Sequence, residues 1–208
     1  MNFKKIVKNA VYAVIFLLAV SPVAACQKKV NPKIQAEMEN GDTFVIELYP
    51  EMAPVTVDNF VELVKGGFYD GLTFHRVVDA FMAQGGGYDA DGVKKEAATI
   101  KGEFANNGYA KNTLKHTKGV ISMARIGGQN NSASSEFFIM LADGQNVPGR
   151  GYVSHGSFLD GDYAAFGKVI EGMEIIEKFQ EIDRVIGFDR EISQPVEPLI
   201  IKKMTVLD

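Results

Sequence analysis

The chain of 208 residues contains one cysteine and no tryptophan. A single cysteine excludes a disulfide within the chain and a zinc site built from several thiolates. The three histidines, His75, His116 and His155, lack the short spacing that places metal ligands on one helix. Basic residues are also few, since 22 Lys and Arg stand against 26 Asp and Glu, for a net charge of −4. Because a nucleic-acid interface needs a Lys- and Arg-rich face, we expect no nucleic-acid partner. From the cysteine and histidine pattern we expect no metal site, and we expect no cofactor.

Several common catalytic motifs are missing as well. The sequence has no Gly-x-Ser-x-Gly elbow, no Gly-Lys-Ser/Thr phosphate loop and no His-Glu-x-x-His. Their absence argues against the hydrolases, nucleotide-binding proteins and metalloproteases that use them. The run Gln84-Gly85-Gly86-Gly87 has the glycines of a phosphate-binding loop, but no Lys follows it. We expect these glycines to allow close approach between backbone segments.

The sequence has no apolar run long enough for a membrane-spanning helix, which needs roughly 20 residues. The run Ala10–Val20 is about half that length, and it is preceded by Lys4, Lys5 and Lys8 and followed by small residues. A positive start, a short apolar centre and small residues are typical of a removable export signal.

The single cysteine lies at the end of this signal. The segment Val23-Ala24-Ala25-Cys26 resembles the lipobox of bacterial lipoproteins, in which the Cys is lipidated and becomes the new N-terminus. We predict a signal peptide over residues 1–25 and a lipidated Cys26 with a short tether over residues 26–32. The protein would then be anchored to the membrane, in the bacterial cell envelope outside the cytoplasm. Ordinary cleavage after Ala25, which leaves a free thiol, is the alternative.

Residues 33–208 carry no internal repeat or long linker and are predicted to form one domain. Apolar and polar residues alternate over 33–38 and 43–48, and Asn40-Gly41 between them favours a two-residue hairpin turn with positive φ at both positions. The period changes to that of a helix over Val55–Lys65, and a second helix is predicted over Gly172–Gln180. Further strands are predicted at Leu72–Val78, Gly119–Ala124, Phe137–Leu141, Ala164–Ile170 and Leu199–Leu207. This order of elements suggests a mainly β fold, a closed antiparallel barrel capped by helices.

Five segments then indicate a family. They are Phe74-His75-Arg76-Val77-Val78, Phe81-Met82-Ala83-Gln84-Gly85-Gly86, Ser122-Met123-Ala124-Arg125, Ser135-Glu136-Phe137-Phe138-Ile139 and Phe166-Gly167-Lys168-Val169. In order and content they resemble the cyclophilin family of peptidyl-prolyl cis–trans isomerases, from Lys33 to the C-terminus. The resemblance implies an eight-stranded antiparallel β-barrel with two capping helices. It also implies a monomeric enzyme that acts on proline-containing polypeptides.

The resemblance also implies roles for particular residues. Arg76, Gln84 and Phe138 would be catalytic, with Arg76 as hydrogen-bond donor and Gln84 orienting it. We expect Phe74, Arg76 and Val78 to share one face of their strand. The backbone of Ala124 and Arg125 would pair with the substrate chain. The proline pocket would be lined by Phe81, Met82, Phe138 and Leu159. His75 is expected to be structural, and no role is assigned to His116 or His155.

Three positions depart from the family pattern. Glu136 replaces a common Gln, and its carboxylate could pair with Arg76 or Arg125 and weaken the donor. Phe158 and Tyr163 stand at positions of the substrate surface where the best-known eukaryotic members have Trp and His, which leaves cyclosporin binding open. The long segment Gly144–Ser157 is either an inert loop or an edge of the substrate groove. Two other functions therefore remain open: a non-catalytic proline-peptide-binding chaperone module and, with only the lipobox in its favour, a small-molecule-binding lipoprotein.

Overall fold

A computed structural model describes residues 30–143, 145–147, 151–153 and 156–207. The predicted signal peptide and lipidated Cys26 lie outside the described residues. The strands are β1 (Lys33–Met38), β2 (Thr43–Leu48), β3 (Leu72–Val78), β4 (Met82–Asp89), β5 (Val120–Met123), β6 (Phe137–Met140), β7 (Gln145–Val147), β8 (Gly151–Val153), β9 (Ala165–Glu171), β10 (Arg184–Ile186), β11 (Ile192–Pro195) and β12 (Leu199–Leu207). The helices are α1 (Pro54–Lys65) and α2 (Met173–Glu177).

Eight of these strands form a closed antiparallel barrel in the order β1-β12-β3-β4-β6-β5-β9-β2. The predicted mainly β barrel with two helices is therefore confirmed. The remaining strands form two separate two-stranded sheets, β7 with β8 and β10 with β11. The first of these lies within the long segment 144–157, and the second is a hairpin that was not predicted.

The opening hairpin is present, but its turn differs from the prediction. The Met38 amide donates to the Asp42 carbonyl at 2.8 Å, and the Gly41 amide donates to the Met38 carbonyl at 2.9 Å. Gly41 has a φ of +88°, whereas Asn40 is not among the residues with positive φ. The turn therefore needs one left-handed residue rather than two, and glycine adopts that conformation at little cost.

Helix α1 follows the sequence expectation closely. Pro54 lies at its start, where a missing amide hydrogen costs nothing, and the chain leaves the helix at Gly66. The predicted apolar face is buried at Val57, Phe60 and Val64. Helix α2 is shorter than predicted, because residues 178–180 tighten into a 3₁₀ turn. No helix among the described residues is long and apolar enough to cross a membrane.

The glycine-rich run lies within β4, which was not predicted as a strand. A Cβ on Gly85 would lie 2.8 Å from the Thr73 carbonyl oxygen, and one on Gly86 would lie 2.8 Å from the Phe137 ring. The expected close approach is thus confirmed, and glycine is the residue that permits it.

A β-bulge between β3 and β4 corrects the predicted face of β3. Phe74 pairs with Gly85 and Arg76 pairs with Gln84, so β3 has one extra residue between these two pairs. Phe74 and Val77 consequently join the barrel core, while Val78 packs against a second cluster outside it. The prediction that Phe74 shares a face with Arg76 and Val78 is wrong, because a bulge shifts the alternation of side chains by one residue.

The core consists of a large cluster inside the barrel and a small one on its outer surface. Inside, the ring of Phe137 meets those of Phe60, Tyr69 and Phe74 at centroid distances of 5.6–5.7 Å, each at a nearly perpendicular angle. Edge-to-face pairs of this kind stabilise a core beyond their buried area. The outer cluster contains Met82, Val120, Phe138, Met140, Leu159 and Ala165. It is the base on which the candidate site is built.

Candidate functional site

A pocket of about 290 Å³ opens above the outer cluster. It is lined by Arg76, Phe81, Met82, Gln84, Ala124, Arg125, Phe138, Phe158, Leu159 and Tyr163. Every site residue named from the sequence is among them except Glu136 and Cys26, and Cys26 lies outside the described residues. The tertiary structure therefore brings together residues that are spread over almost 90 positions of the chain.

The register of the barrel explains this convergence. Arg76 on β3 pairs with Gln84 on β4, and Gln84 pairs with Phe138 on β6. The row continues to Ser122 on β5, the partner of Phe138. Side chains directly opposite each other on neighbouring strands point to the same face. Arg76, Gln84 and Phe138 are consequently three neighbours in one row across the sheet.

The Arg76 guanidinium lies between the apolar pocket and a pair of acids. Its Nη1 is 3.7 Å from the sulfur of Met82, in the pocket wall. Its Nε donates to Asp189 at 2.5 Å, and Nη2 lies 3.5 Å from a carboxylate oxygen of Glu191. The side chain of Arg76 is 26% exposed. The guanidinium of Arg76 therefore reaches the pocket, while Asp189 and Glu191 contact it on the side away from the pocket.

Asp189 and Glu191 were not identified from the sequence. They lie in the β10–β11 hairpin, and Asp189 is 113 residues away from Arg76 along the chain. The sequence signal that could have indicated them is the segment Gly187–Glu191, since its Gly187 and Asp189 are of residue types common in turns. Nothing in that pattern indicates which barrel residue the acids face.

Gln84 does not contact Arg76 in the way the resemblance implies. Its Nε2 donates instead to a carboxylate oxygen of Glu136 at 2.9 Å. The same oxygen lies 3.7 Å from Nε2 of His75. Glu136 therefore pairs with Gln84 and His75, and the suggested pairing with Arg76 or Arg125 is not found. Burial lowers the pKa of His75, and the nearby Arg76 lowers it too, while Glu136 acts in the opposite direction.

The Phe138 ring is held by two other rings. His116 stacks on it at a centroid distance of 5.9 Å, and Tyr163 meets it edge-on at 5.7 Å. His116 is fixed in turn, since its Nδ1 lies 3.0 Å from Asp160 and its Nε2 lies 3.0 Å from the Ser122 hydroxyl. Burial lowers the pKa of His116, although Asp160 opposes this effect. His116, to which no role was assigned, thus supports the pocket floor.

The remaining pocket residues form its rim. The Arg125 guanidinium donates to the Asp162 carbonyl at 2.8 Å and lies 4.7 Å from the centre of the Tyr163 ring. Such cation–π contacts stabilise an exposed Arg in one orientation. The Phe158 ring lies 5.7 Å from that of Phe81 and is 61% exposed. An aromatic wall is therefore present where the family resemblance requires one.

A second cavity of about 360 Å³ adjoins the first, and Arg76 and Gln84 line both. Its other walls include His75, Tyr88 and Glu136 from the barrel and Phe188 and Asp189 from the β10–β11 hairpin. Phe188 is 93% exposed. The hairpin thus extends the concave surface beyond the predicted pocket.

The arrangement combines an apolar slot with the Arg76 guanidinium in its wall and the Arg125 guanidinium at its rim. Within the part of the chain that the structure describes, no three His, Cys, Asp or Glu side chains lie close enough to hold a metal ion. The pocket can accept a compact apolar ring, and Arg76 can donate to an atom of a group bound beside it. This geometry suits stabilisation of a conformation better than covalent catalysis, since the Ser122 hydroxyl that contacts His116 is fully buried and does not line the pocket.

Comparison with known proteins agrees with this geometry. Residues 33–206 match the family described as "Cyclophilin type peptidyl-prolyl cis-trans isomerase/CLD". The chain is 35% identical to peptidyl-prolyl cis-trans isomerase A of Dickeya dadantii over 201 residues, or 95% of each protein. It is 36% identical to peptidyl-prolyl cis-trans isomerase B of Escherichia coli over 172 residues, or 80% of this chain and 95% of that protein.

A solved structure supports the fold independently. The cyclophilin-type isomerase of Cryptosporidium parvum superposes with a TM-score of 0.60 at 24% identity, covering 86% of this chain and 98% of that one. A second crystal structure of that protein was determined in the presence of the dipeptide Ala-Pro, and it superposes with a TM-score of 0.59. Both the sequence match and the barrel point to one conclusion. The chain belongs to the family of cyclophilin-type peptidyl-prolyl cis–trans isomerases.

Proposed function

We propose that this protein accelerates rotation about X–Pro bonds of exported polypeptides, with Arg76 as the hydrogen-bond donor to the twisted amide. The observation that carries the proposal is the position of the Arg76 guanidinium. Its Nη1 lies 3.7 Å from Met82, in the pocket that Phe81, Phe138 and Leu159 also line. A proline ring in this pocket would place its own amide nitrogen close to that donor.

The barrier to be lowered is one of bond rotation. Rotation about an X–Pro bond faces about 18–20 kcal/mol and takes tens to hundreds of seconds. Reaching the millisecond range requires about four to five decades, or roughly 6 kcal/mol. At the twisted transition state the amide loses its resonance, so its carbonyl is less dipolar and the proline nitrogen regains a lone pair. The pocket therefore has to favour this twisted form over the planar one.

Two features of the site act in that direction. A charge-assisted hydrogen bond from Arg76 to the regained lone pair contributes about 1.5–3 kcal/mol. The apolar walls disfavour the more dipolar planar amide, and together with the shape of the pocket they supply the remainder. No bond is made or broken, and no proton is transferred.

The substrate class follows from the same geometry. The pocket is open to solvent rather than enclosed, so a polypeptide can enter with residues on both sides of its proline. The related Cryptosporidium parvum structure obtained in the presence of Ala-Pro supports a proline-containing ligand for this fold. We propose that the protein acts as a monomer on unfolded or partly folded chains.

One assay tests the mechanism. Arg76→Ala should lower kcat/KM for a proline-containing peptide at least tenfold, because the charged donor is lost. Arg76→Lys should restore only part of the rate, since Lys lacks the planar fork of Arg. Lys202→Ala is the matched control, because Lys202 lies on β12 and pairs with Glu37 rather than with the site.

The same assay distinguishes an isomerase from a non-catalytic chaperone module. Equal rates for the natural protein and Arg76→Ala would contradict the mechanism. If the natural protein binds proline peptides but does not accelerate their rotation, it is a chaperone module instead. The specific observation in favour of that alternative is the carboxylate of Asp189 on Arg76, which offsets part of the positive charge.

We further propose that the enzyme is exported and lipid-anchored through Cys26. The support is the sequence of residues 1–26: three Lys, a short apolar run, small residues and the only cysteine of the chain. Mass spectrometry of the mature N-terminus should find an acylated Cys26, and Cys26→Ser should release the protein from the membrane fraction. An unmodified N-terminus on natural protein from its own cell envelope would contradict the lipid anchor.

A further inference from the structure

The orientation of Arg76 is determined from outside the barrel. Of its three nitrogens, Nε faces the hairpin and donates to Oδ2 of Asp189, while Nη1 faces Met82 in the pocket. A guanidinium is planar, so a carboxylate that fixes its Nε edge also fixes the direction of Nη1. The contact with Asp189 thus determines where the pocket-facing donor points.

Asp189 is itself held in place. Its Oδ1 accepts hydrogen bonds from the Ser193 hydroxyl at 2.8 Å and from the Glu191 amide at 3.0 Å. Ser193 is almost fully buried. Burial opposes ionisation of Asp189, but the hydrogen bonds from Arg76, Glu191 and Ser193 outweigh it and hold the pKa below the usual value of 3.8. The group is therefore a fixed anion near neutral pH.

The hairpin that carries Asp189 is tied to the barrel close to the site. Arg184, in β10, donates from Nη2 to Asp79 at 2.9 Å and from Nη1 to the Val77 carbonyl at 3.4 Å. Val77 follows Arg76 directly on β3. The hairpin and the strand that carries Arg76 are therefore connected at two neighbouring points, one through Arg184 and one through Asp189.

Gln84 was expected to orient Arg76, but its side-chain amide has a different hydrogen-bond partner. Gln84 pairs with Arg76 in the β3–β4 ladder, yet its side-chain amide donates to Glu136. Glu191 is a weaker support than Asp189, because its oxygen lies 3.5 Å from Nη2 and its side chain is 60% exposed. An exposed ion pair of this kind contributes little. Asp189 is the strongest partner of Arg76 among the described residues.

We propose that Asp189 is a positioning residue for the isomerase reaction, which holds the Arg76 guanidinium so that Nη1 points into the proline pocket. The inference rests on the proposed function, since it assigns Arg76 the role of donor. Without Asp189 the long Arg side chain populates several rotamers, and a donor displaced by about 1 Å can cost up to two decades in rate. The loss of orientation outweighs the gain from removing a neighbouring negative charge, because the guanidinium remains charged in both cases.

A double-mutant cycle tests this role. Asp189→Ala should lower kcat for a proline-containing peptide about tenfold while KM changes little, since the peptide still enters the apolar pocket. In the Arg76→Ala background, Asp189→Ala should have no further effect, because the residue acts only through Arg76. Asp189→Asn, which keeps an acceptor oxygen, should lie between the natural protein and Asp189→Ala.

The control is a carboxylate from the same part of the chain. Glu197 is exposed and lies just after β11, and it does not line the pocket. Glu197→Ala should therefore retain the natural kcat. Urea unfolding of each variant checks that the barrel is intact, and a lower kcat with unchanged unfolding separates positioning from loss of the fold.

Each outcome decides between the two proposals. If the natural protein accelerates rotation and Arg76→Ala does not, but Asp189→Ala matches the natural protein, the positioning role is wrong and the proposed function stands. If Asp189→Ala lowers the rate equally with and without Arg76, the residue acts through the fold and the positioning role is again wrong. If the natural protein shows no acceleration, the proposed function itself fails.

Discussion

Arg76 lies between two regions of different construction. On one side, the barrel strands β4, β5 and β6 supply an apolar pocket whose floor, Phe138, is fixed by ladder hydrogen bonds and by the rings of His116 and Tyr163. On the other side, the β10–β11 hairpin supplies Asp189 from a short loop and exposes Ile186, Phe188 and Ile192 to solvent. The barrel contributes shape, and the hairpin contributes charge and orientation.

The barrel and the hairpin therefore differ in how much they contribute to folding stability and to the orientation of Arg76. Residues of the barrel have several buried neighbours each, so changing one of them affects the whole structure. Residues of the hairpin are held by a few polar contacts, so they can be altered with little cost in folding. A region of this second kind is suited to adjusting a catalytic group without disturbing the pocket.

The largest change in stability is expected when a buried aromatic side chain is removed from the barrel core. Phe137 is fully buried and contacts the rings of Phe60, Tyr69 and Phe74. Phe137→Ala should lower the free energy of unfolding by about 3–5 kcal/mol, because it leaves a cavity among these rings. Urea unfolding measures the effect, and a loss below about 1 kcal/mol would mean that the barrel core is not the source of stability.

The hairpin provides the matched control for that experiment. Ile192 is 67% exposed although it is as apolar as the core residues. Ile192→Ala should change the free energy of unfolding by no more than about 0.5 kcal/mol, as is usual for exposed positions. A loss similar to that of Phe137→Ala would show that the two regions do not differ in the way described.

A change of pH is expected to have a smaller effect on the free energy of unfolding. Burial lowers the pKa of both His75 and His116 below their usual value of 6.5. More than about one pH unit above that value, both histidines are neutral in the folded and unfolded chain. As the pH falls from about 7.5 to about 5.5, the unfolded chain takes up protons that the folded barrel does not, so the free energy of unfolding falls.

The hairpin acid responds in a separate window. The pKa of Asp189 is lowered in the folded protein, so its contribution is present above the usual carboxyl value of 3.8 and is lost only below it. Unfolding measured between about pH 8 and about pH 5 therefore avoids the window of Asp189 and includes that of His75 and His116, and His116→Asn should give a shallower slope. A stability that stays constant over this range would contradict the assignment of buried neutral histidines.

Much of the barrel could be predicted from local sequence patterns. The helix α1 and the strands β3 and β12 have strong periodicity or a long apolar and β-branched run, and their predicted bounds agree with the structure to within one residue. The strand β4 was missed because Gln84-Gly85-Gly86-Gly87 has no β-branched side chains. Its glycines are explained only by the neighbours Thr73 and Phe137, which approach their backbone.

Much of the candidate site could be predicted as well, but the hydrogen-bond partners of its residues could not. The family resemblance identified ten residues that do line one pocket, and seven of them lie in the five quoted segments. The same resemblance did not indicate that Gln84 donates to Glu136, and the suggested pairing of Glu136 with Arg76 or Arg125 is not found among the described residues. The resemblance indicates which residues line one pocket, but the choice among several hydrogen-bond partners depends on the distances between their atoms.

Local patterns in the sequence were enough to predict the main strands and helix α1, since these patterns depend on side chains a few positions apart. The residues of the candidate pocket are spread from Arg76 to Tyr163, and only the family resemblance indicated that they belong together. The β-bulge between Phe74 and Arg76, and the contact of Arg76 with Asp189, 113 residues further on, became visible only in the folded chain. The physical reason is that an ion pair depends on distances of a few ångström, which only closure of the barrel and docking of the hairpin establish.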